Sequence, residues 1–123
     1  MSLDLDAPLA TLLAQIVDVE SVSGNERALA DLVEEALSLP HLELTRDGDC
    51  IVARTLLGRP ERVVIAGHLD TVPVEANLPS RRDGDMLWGR GTVDMKGGIA
   101  VMLKLAAELT TPSRRDGRFA STG

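Results

Sequence analysis

Val63-Val64-Ile65-Ala66-Gly67-His68-Leu69-Asp70-Thr71-Val72-Pro73 is the stretch on which the fold turns. Its first four residues are apolar without alternation and lie between Pro60 and Gly67, the pattern of a strand covered on both faces. This predicts a central strand at residues 63–66, with His68 and Asp70 delivered at its C-terminal end, where α/β proteins place their sites. In an extended chain, side chains two residues apart project to one side. The Asp70 carboxylate is then placed to accept a hydrogen bond from one imidazole nitrogen of His68, leaving the other free for a metal. Taken alone, a His and an Asp at this spacing is a weak signal, and a solvated polar pair is the ordinary reading.

Upstream, Leu9, Leu12, Leu13, Ile16 and Val17 form one helical stripe, predicting a first helix over residues 7–20. Ser23 with Glu26 has the form of a capping box ahead of Leu29, Leu32, Val33, Ala36 and Leu37, so a second helix is expected from Asn25 to Ser38, ending before Pro40. The period then changes. Leu42 and Leu44 alternate with polar residues, Asp47-Gly48 is a turn dipeptide, and Ile51 to Ala53 resume the apolar run, which reads as a hairpin. The lone Cys50 beside this run is expected to be a buried structural thiol.

Downstream, Asp83-Gly84 marks a turn and Met86 to Trp88 a short strand. A third helix, apolar almost all round and therefore expected in an interior, should run from Met95 to Leu109. Pro112 ends it, and residues 111–123 carry no apolar pattern, which predicts an unstructured tail after a domain of residues 1–110. Helix pairs, a hairpin, a buried strand and a buried helix together suggest a three-layer α/β architecture.

Between the short strand and the third helix lies Gly89-Arg90-Gly91-Thr92-Val93-Asp94-Met95-Lys96-Gly97-Gly98, with four glycines in ten residues. Such density lets the backbone pass close to a ligand or adopt positive φ. Asp94 is expected at the helix N-terminus, where backbone N–H groups and the dipole keep a carboxylate ionised; a plain N-cap is the simpler reading. Other glycine-loop chemistries fail on residue type. A dinucleotide fingerprint needs glycine where Asp94 stands, a P-loop needs Ser or Thr after Gly-Lys where Lys96 is followed by Gly97, and a serine-hydrolase elbow is absent.

The composition sets outer bounds. The chain of 123 residues has 13 basic and 19 acidic side chains, a net charge of −6, 44% hydrophobic and 2% aromatic residues. That supports one globular domain and argues against a nucleic-acid reader built from basic patches and stacking aromatics, and against an anionic membrane surface. Residues 1–80 hold 5 basic and 14 acidic side chains, net −9, and residues 81–123 hold 8 and 5, net +3, a contrast ordinarily explained by solvated faces. No targeting segment and no apolar run of the ~20 residues needed to span a bilayer is visible, and a single cysteine fits a reducing compartment, so the expected location is cytoplasmic.

Taken together, His68 to Pro73 and Gly89 to Gly98 resemble the two N-terminal signature motifs of the dinuclear-zinc amidohydrolase family that includes aminoacylase, carboxypeptidases, acetylornithine deacetylase and succinyl-diaminopimelate desuccinylase. Both motifs occur in order, at a fitting separation, with the expected strand and helix around them. The resemblance covers Leu9 to Leu109, and Asn77-Leu78-Pro79-Ser80 looks most like the desuccinylase branch, although the Trp and the Pro-Phe pair that many members carry in this connection are absent.

The resemblance implies the N-terminal portion of a three-layer zinc-exopeptidase-like catalytic domain. It implies His68 as a terminal ligand of one zinc, Asp94 as the carboxylate bridging two zincs, and Asp70 as the catalytic-site partner that orients His68. It also implies a cis peptide bond after Asp94, two zinc ions with cobalt as the alternative, a small N-acyl amino acid substrate, and a homodimer at full length. In the family the general-base glutamate, an adjacent glutamate ligand, a further acidic ligand and a far C-terminal histidine follow the second motif, whereas this sequence ends at Gly123 and Glu108, read as a solvated residue, is the only acid between Lys96 and the tail. The expectation is therefore an N-terminal part, inactive by itself, of an enzyme that hydrolyses N-succinyl-LL-2,6-diaminopimelate to succinate and diaminopimelate in lysine biosynthesis. The alternatives are the acetylornithine deacetylase or carboxypeptidase branch, and a non-catalytic interaction module that uses the third helix and the open strand edge.

Overall fold

The computed structural model describes residues 2–58, 60 and 62–109; the expected tail at residues 111–123 lies outside the described residues. Three helices and two hairpins make up the regular structure: α1 (Leu9–Val17), α2 (Arg27–Leu37), β1 (Leu42–Asp47), β2 (Cys50–Thr55), β3 (Arg81–Asp83), β4 (Met86–Trp88) and α3 (Gly97–Glu108). The helical stripes read from the sequence are the ones buried. Leu12 and Ile16 of α1, Leu29, Val33 and Leu37 of α2, and Ile99, Ala100 and Leu103 of α3 meet in one core. Leu3 closes it from the N-terminal segment.

β1 and β2 pair antiparallel in the register Leu42↔Thr55 to Asp47↔Cys50, so Gly48 and Asp49 form the two-residue turn. Gly48 takes φ 62°, the left-handed region such turns require. Alternation puts Leu42, Leu44, Ile51 and Ala53 against the core and turns Cys50 outward, so the thiol is exposed rather than buried. At the hairpin's end Arg46 joins it to α2, its Nη1 lying 2.7 Å from Asp31 and 3.1 Å from Glu34. The Asp31 hydrogen bond raises the guanidinium's pKa against the opposing effect of desolvation.

The predicted central strand is corrected. Residues 63–70 form no strand ladder, and Val63, Val64 and Ile65 are 43%, 79% and 48% exposed. A strand exists only through its neighbours' hydrogen bonds, and among the described residues nothing runs beside residues 63–66. The one bridge here is parallel, Val22 to Thr71. The third helix also departs from expectation: it buries one side through Ile99, Ala100 and Leu103, while Val101 is 45% exposed. The sheets are two separate two-stranded hairpins, so the described residues give mixed helix and strand content rather than three closed layers.

Candidate functional site

The segment after residue 66 is brought against the start of α3 by Gly67, where a Cβ would meet Met95 Cε at 2.6 Å and Ile99 Cδ1 at 3.1 Å. A side chain at this position would have to push aside the flexible end of Met95, and glycine leaves that contact undisturbed. From the other side, residues 21–23 clamp the same segment. Thr71 N–H donates to the Ser21 carbonyl at 2.8 Å, Ser23 N–H donates to the Thr71 carbonyl at 3.0 Å, and the buried Ser21 hydroxyl donates to the Leu69 carbonyl at 2.6 Å.

Asp94 is carried by an irregular wide turn, Thr92–Lys96, in which Lys96 N–H reaches the Gly91 carbonyl five residues back at 2.9 Å. Asp94 (φ −120°, ψ 92°) and Met95 (φ −137°, ψ 36°) leave helical geometry, and the Asp94–Met95 peptide is cis, as the family resemblance implied. Leu78–Pro79 is cis as well. The expected N-cap role of Asp94 is corrected: α3 starts at Gly97, its cap position is Lys96, and no side chain caps it. Gly91 turns the chain into this segment with φ 85°. Lys96 anchors the turn from beneath, almost fully buried, its Nζ donating to the Val19 carbonyl at 2.7 Å. Burial lowers its pKa to about 8 against the pull of Asp18 and Glu20.

These constraints converge on His68. Its Nε2 lies 3.0 Å from Asp94 Oδ1, and its Nδ1 lies 3.0 Å from the Asp70 carbonyl and 3.1 Å from Asp70 Oδ1. Desolvation pulls the imidazolium down, but the Asp70 carbonyl and the Asp94 carboxylate outweigh it and hold the pKa above the usual 6.5. The other Asp70 oxygen, Oδ2, accepts a hydrogen bond from the Ser23 hydroxyl. That bond is the largest cause holding the Asp70 carboxyl below its ordinary value. The three residues border an open cleft of about 430 Å³, flanked by Ser23, Gly91 and Thr92. Asp94 borders the cleft, and its side chain is 86% exposed to solvent.

The structure thus brings together all three residues singled out from the sequence: His68, Asp70 and Asp94. It also corrects the reading of Ser23 as a capping box. The α2 cap position is Glu26, which makes no side-chain cap bond, and the Glu26 carboxylate instead accepts the Gly24 N–H at 2.7 Å. Ser23 belongs to the cleft. The available signal was the pair Ser21 and Ser23, whose two-residue spacing in extended chain sends both hydroxyls toward the same neighbour. Glu108 is exposed, as its solvated reading expects. Among the described residues no three His, Cys, Asp or Glu side chains form a metal-holding group, and no helix is long and apolar enough to cross a membrane.

Comparison with known proteins agrees with these motifs. Residues 64–121 match the family described as peptidase family M20/M25/M40. A Mycobacterium tuberculosis protein provisionally named succinyl-diaminopimelate desuccinylase DapE is 50% identical over 113 residues, which is 90% of this chain and 32% of that protein. Succinyl-diaminopimelate desuccinylase of Corynebacterium glutamicum is 46% identical over 89% of this chain and 30% of its own length. A Pyrococcus abyssi protein provisionally named LysW-lysine/LysW-ornithine hydrolase is 35% identical over 74% of this chain and 26% of its own. The chain therefore spans about a third of the length of these relatives, and the stretch of it that carries both motifs is the part similar to peptidase family M20/M25/M40.

Proposed function

We propose that this chain supplies two ligands and one ligand-orienting carboxylate to the metal centre of a hydrolase of linear amides, of the succinyl-diaminopimelate desuccinylase type. The observation that carries the reading is the division of labour at His68: Nδ1 is engaged by Asp70, while Nε2 meets the exposed Asp94 carboxylate 3.0 Å away at the cleft. An imidazole nitrogen and a carboxylate oxygen are the donor types zinc takes. His68 would be a terminal ligand and Asp94 the bridging one, with zinc the expected metal and cobalt the alternative.

When bound, the metal pair supplies Lewis-acid polarisation of the amide carbonyl and an activated water. The chain's own residues do the preparatory work. Asp70 keeps a proton on Nδ1, so that Nε2 offers its lone pair, and its negative charge raises the imidazole's basicity. The wide turn anchored by Lys96 holds Asp94 toward the cleft. A catalytic zinc takes about three protein ligands, so the remaining ligands and the general base would come from residues outside those described.

The same reading accounts for the exposed Val63, Val64 and Ile65. Their unalternating apolar character suits a strand that further sheet covers in a three-layer domain, to which residues 1–110 would contribute one part. The names of the relatives support a small N-acyl amino acid as substrate, with succinylated diaminopimelate first and other amide substrates of the family second. Function in the cytoplasm and as a homodimer belongs to this proposal.

Zinc calorimetry on this chain, with His68→Ala and Asp94→Ala in parallel and hydrolysis of N-succinyl-diaminopimelate assayed in the same samples, tests it. The expected result is weak binding that either variant removes, without turnover. Binding unchanged in both variants would overturn the ligand assignment, and tight binding of two ions with turnover would mean that other side chains of this chain complete the site.

A further inference from the structure

We infer that Ser23 is a positioning residue of the site: its hydroxyl holds the Asp70 carboxylate in the rotamer that fixes the proton of His68 on Nδ1. The inference rests on the reading of His68 as a ligand through Nε2. Asp70 Oδ2 accepts the Ser23 hydroxyl, while Oδ1 of the same carboxylate lies 3.1 Å from His68 Nδ1. Occupying one oxygen leaves the other aimed at the ring. A free aspartate at the cleft rim would instead turn among several staggered states.

The hydroxyl is not a chance surface contact, because the backbone carrying it is tied to the segment carrying Asp70. Ser23 N–H donates to the Thr71 carbonyl at 3.0 Å, Thr71 N–H donates to the Ser21 carbonyl at 2.8 Å, and the Ser21 hydroxyl donates to the Leu69 carbonyl at 2.6 Å. Three bonds thus set the register of residues 21–23 on residues 69–71 before the Ser23 side chain acts. A line of donation runs from Ser23 to the carboxylate and from the ring to the same carboxylate, over 47 residues of chain. Neutral imidazole has two tautomers, and the acceptor offered to each nitrogen selects between them. Here Nδ1 faces the Asp70 backbone carbonyl at 3.0 Å and the Asp70 carboxylate at 3.1 Å, while Nε2 faces Asp94, so weakening the carboxylate's share of that hold moves the proton toward Nε2, the atom that must be free of it.

The test is the tautomer ratio of His68, read from long-range ¹H–¹⁵N correlations of the metal-free chain at a pH where the ring is neutral. The unsubstituted chain is expected to hold predominantly the Nδ1–H form. Ser23→Ala keeps the backbone N–H bond and removes only the hydroxyl, and should shift the ratio toward Nε2–H by up to about fivefold, the full worth of one ordinary hydrogen bond. Ser23→Thr restores the hydroxyl and should restore the ratio. A ratio unchanged in Ser23→Ala, with the core methyl signals of Leu12, Ile16 and Val33 also unchanged, overturns the inference. Should Ser23→Ala fail to fold, Ser23→Cys, a poor donor of similar size, is read the same way; if neither folds, Ser23 serves stability and the inference is overturned. Because no metal is added, a negative result speaks of Ser23 alone, whereas failure of the metal reading would appear in the calorimetry of His68→Ala with Ser23 intact.

Discussion

His68 Nε2 and Asp94 Oδ1 stand 3.0 Å apart across 26 residues of chain. In the metal-free chain this contact and the Asp70 carbonyl favour the imidazolium over desolvation, raising the His68 pKa above 6.5. A raised folded-state value means that the stability from this pairing is fully present below about pH 6.5 and is lost as pH rises through the higher folded value. Asp94→Asn should therefore bring the His68 titration, followed by ¹H–¹⁵N correlation, back toward 6.5. A titration that stays in place would show that Asp94 does not govern the ring. Proton and metal compete for Nε2, so zinc affinity should rise with pH across the same window.

Lys96 imposes a pH dependence of its own. Burial lowers its pKa to about 8 from 10.5, so the folded state releases its proton before the unfolded chain does. The contribution is present in full above pH 10.5 and is lost as pH falls toward 8. Stability by urea denaturation should accordingly rise between those values, with a slope of up to ~1.4 kcal/mol per pH unit. Lys96→Met should flatten the slope; a slope unaltered by that substitution would assign it to another group.

Gly91→Ala tests the turn that delivers Asp94. Gly91 has φ 85°, and a Cβ there would stand 2.6 Å from Thr71 Cγ2 and 3.4 Å from Lys96 Cδ. The left-handed backbone and the β-branched neighbour both resist the methyl, so a loss of ~1 kcal/mol or more is expected in thermal or urea unfolding. Thr71 follows Asp70 directly, and the same variant should perturb the amide signals of residues 68–71. Wild-type stability with unperturbed signals would mean that the turn tolerates a side chain.

Leu12 and Leu29 are fully buried where α1, α2 and α3 meet. Truncating either to Ala should cost about 2–5 kcal/mol, the range for large-to-small changes in a packed core. Val64→Ala, at a position 79% exposed, should cost less than about 0.5 kcal/mol in this chain. Equal losses at Leu12 and Val64 would mean that residues 63–66 are packed in solution.

Much of the local structure was legible because its causes are local. The stripes at Leu9 to Val17 and Leu29 to Leu37 predicted α1 and α2 within a few residues of their ends, Asp47-Gly48 predicted the first hairpin, and Asp83-Gly84 with Met86 to Trp88 predicted the turn and second strand of the other. The same holds for His68, Asp70 and Asp94, whose residue types and glycine setting marked them before any contact was known. Where the reading failed, the deciding partner lay elsewhere in the chain. Ser23 suits a capping box by spacing, yet α2 starts at Arg27 with Glu26 at its cap position, and the Ser23 hydroxyl instead donates to the charged Asp70 carboxylate. Cys50 sits in an apolar run, but the hairpin register turns it outward.

The sequence by itself determined the helices and the two turns and singled out His68, Asp70 and Asp94 as candidates, since side-chain period, turn chemistry and residue type act over a few positions. Only the tertiary structure decided which residues meet. Gly67 admits the backbone beside Met95, residues 21–23 clamp residues 69–71, and the buried Lys96 seats the turn that brings Asp94 to His68. Each of these is a contact between segments far apart in the chain, set by close approach and hydrogen bonding in the folded state, which no local pattern specifies.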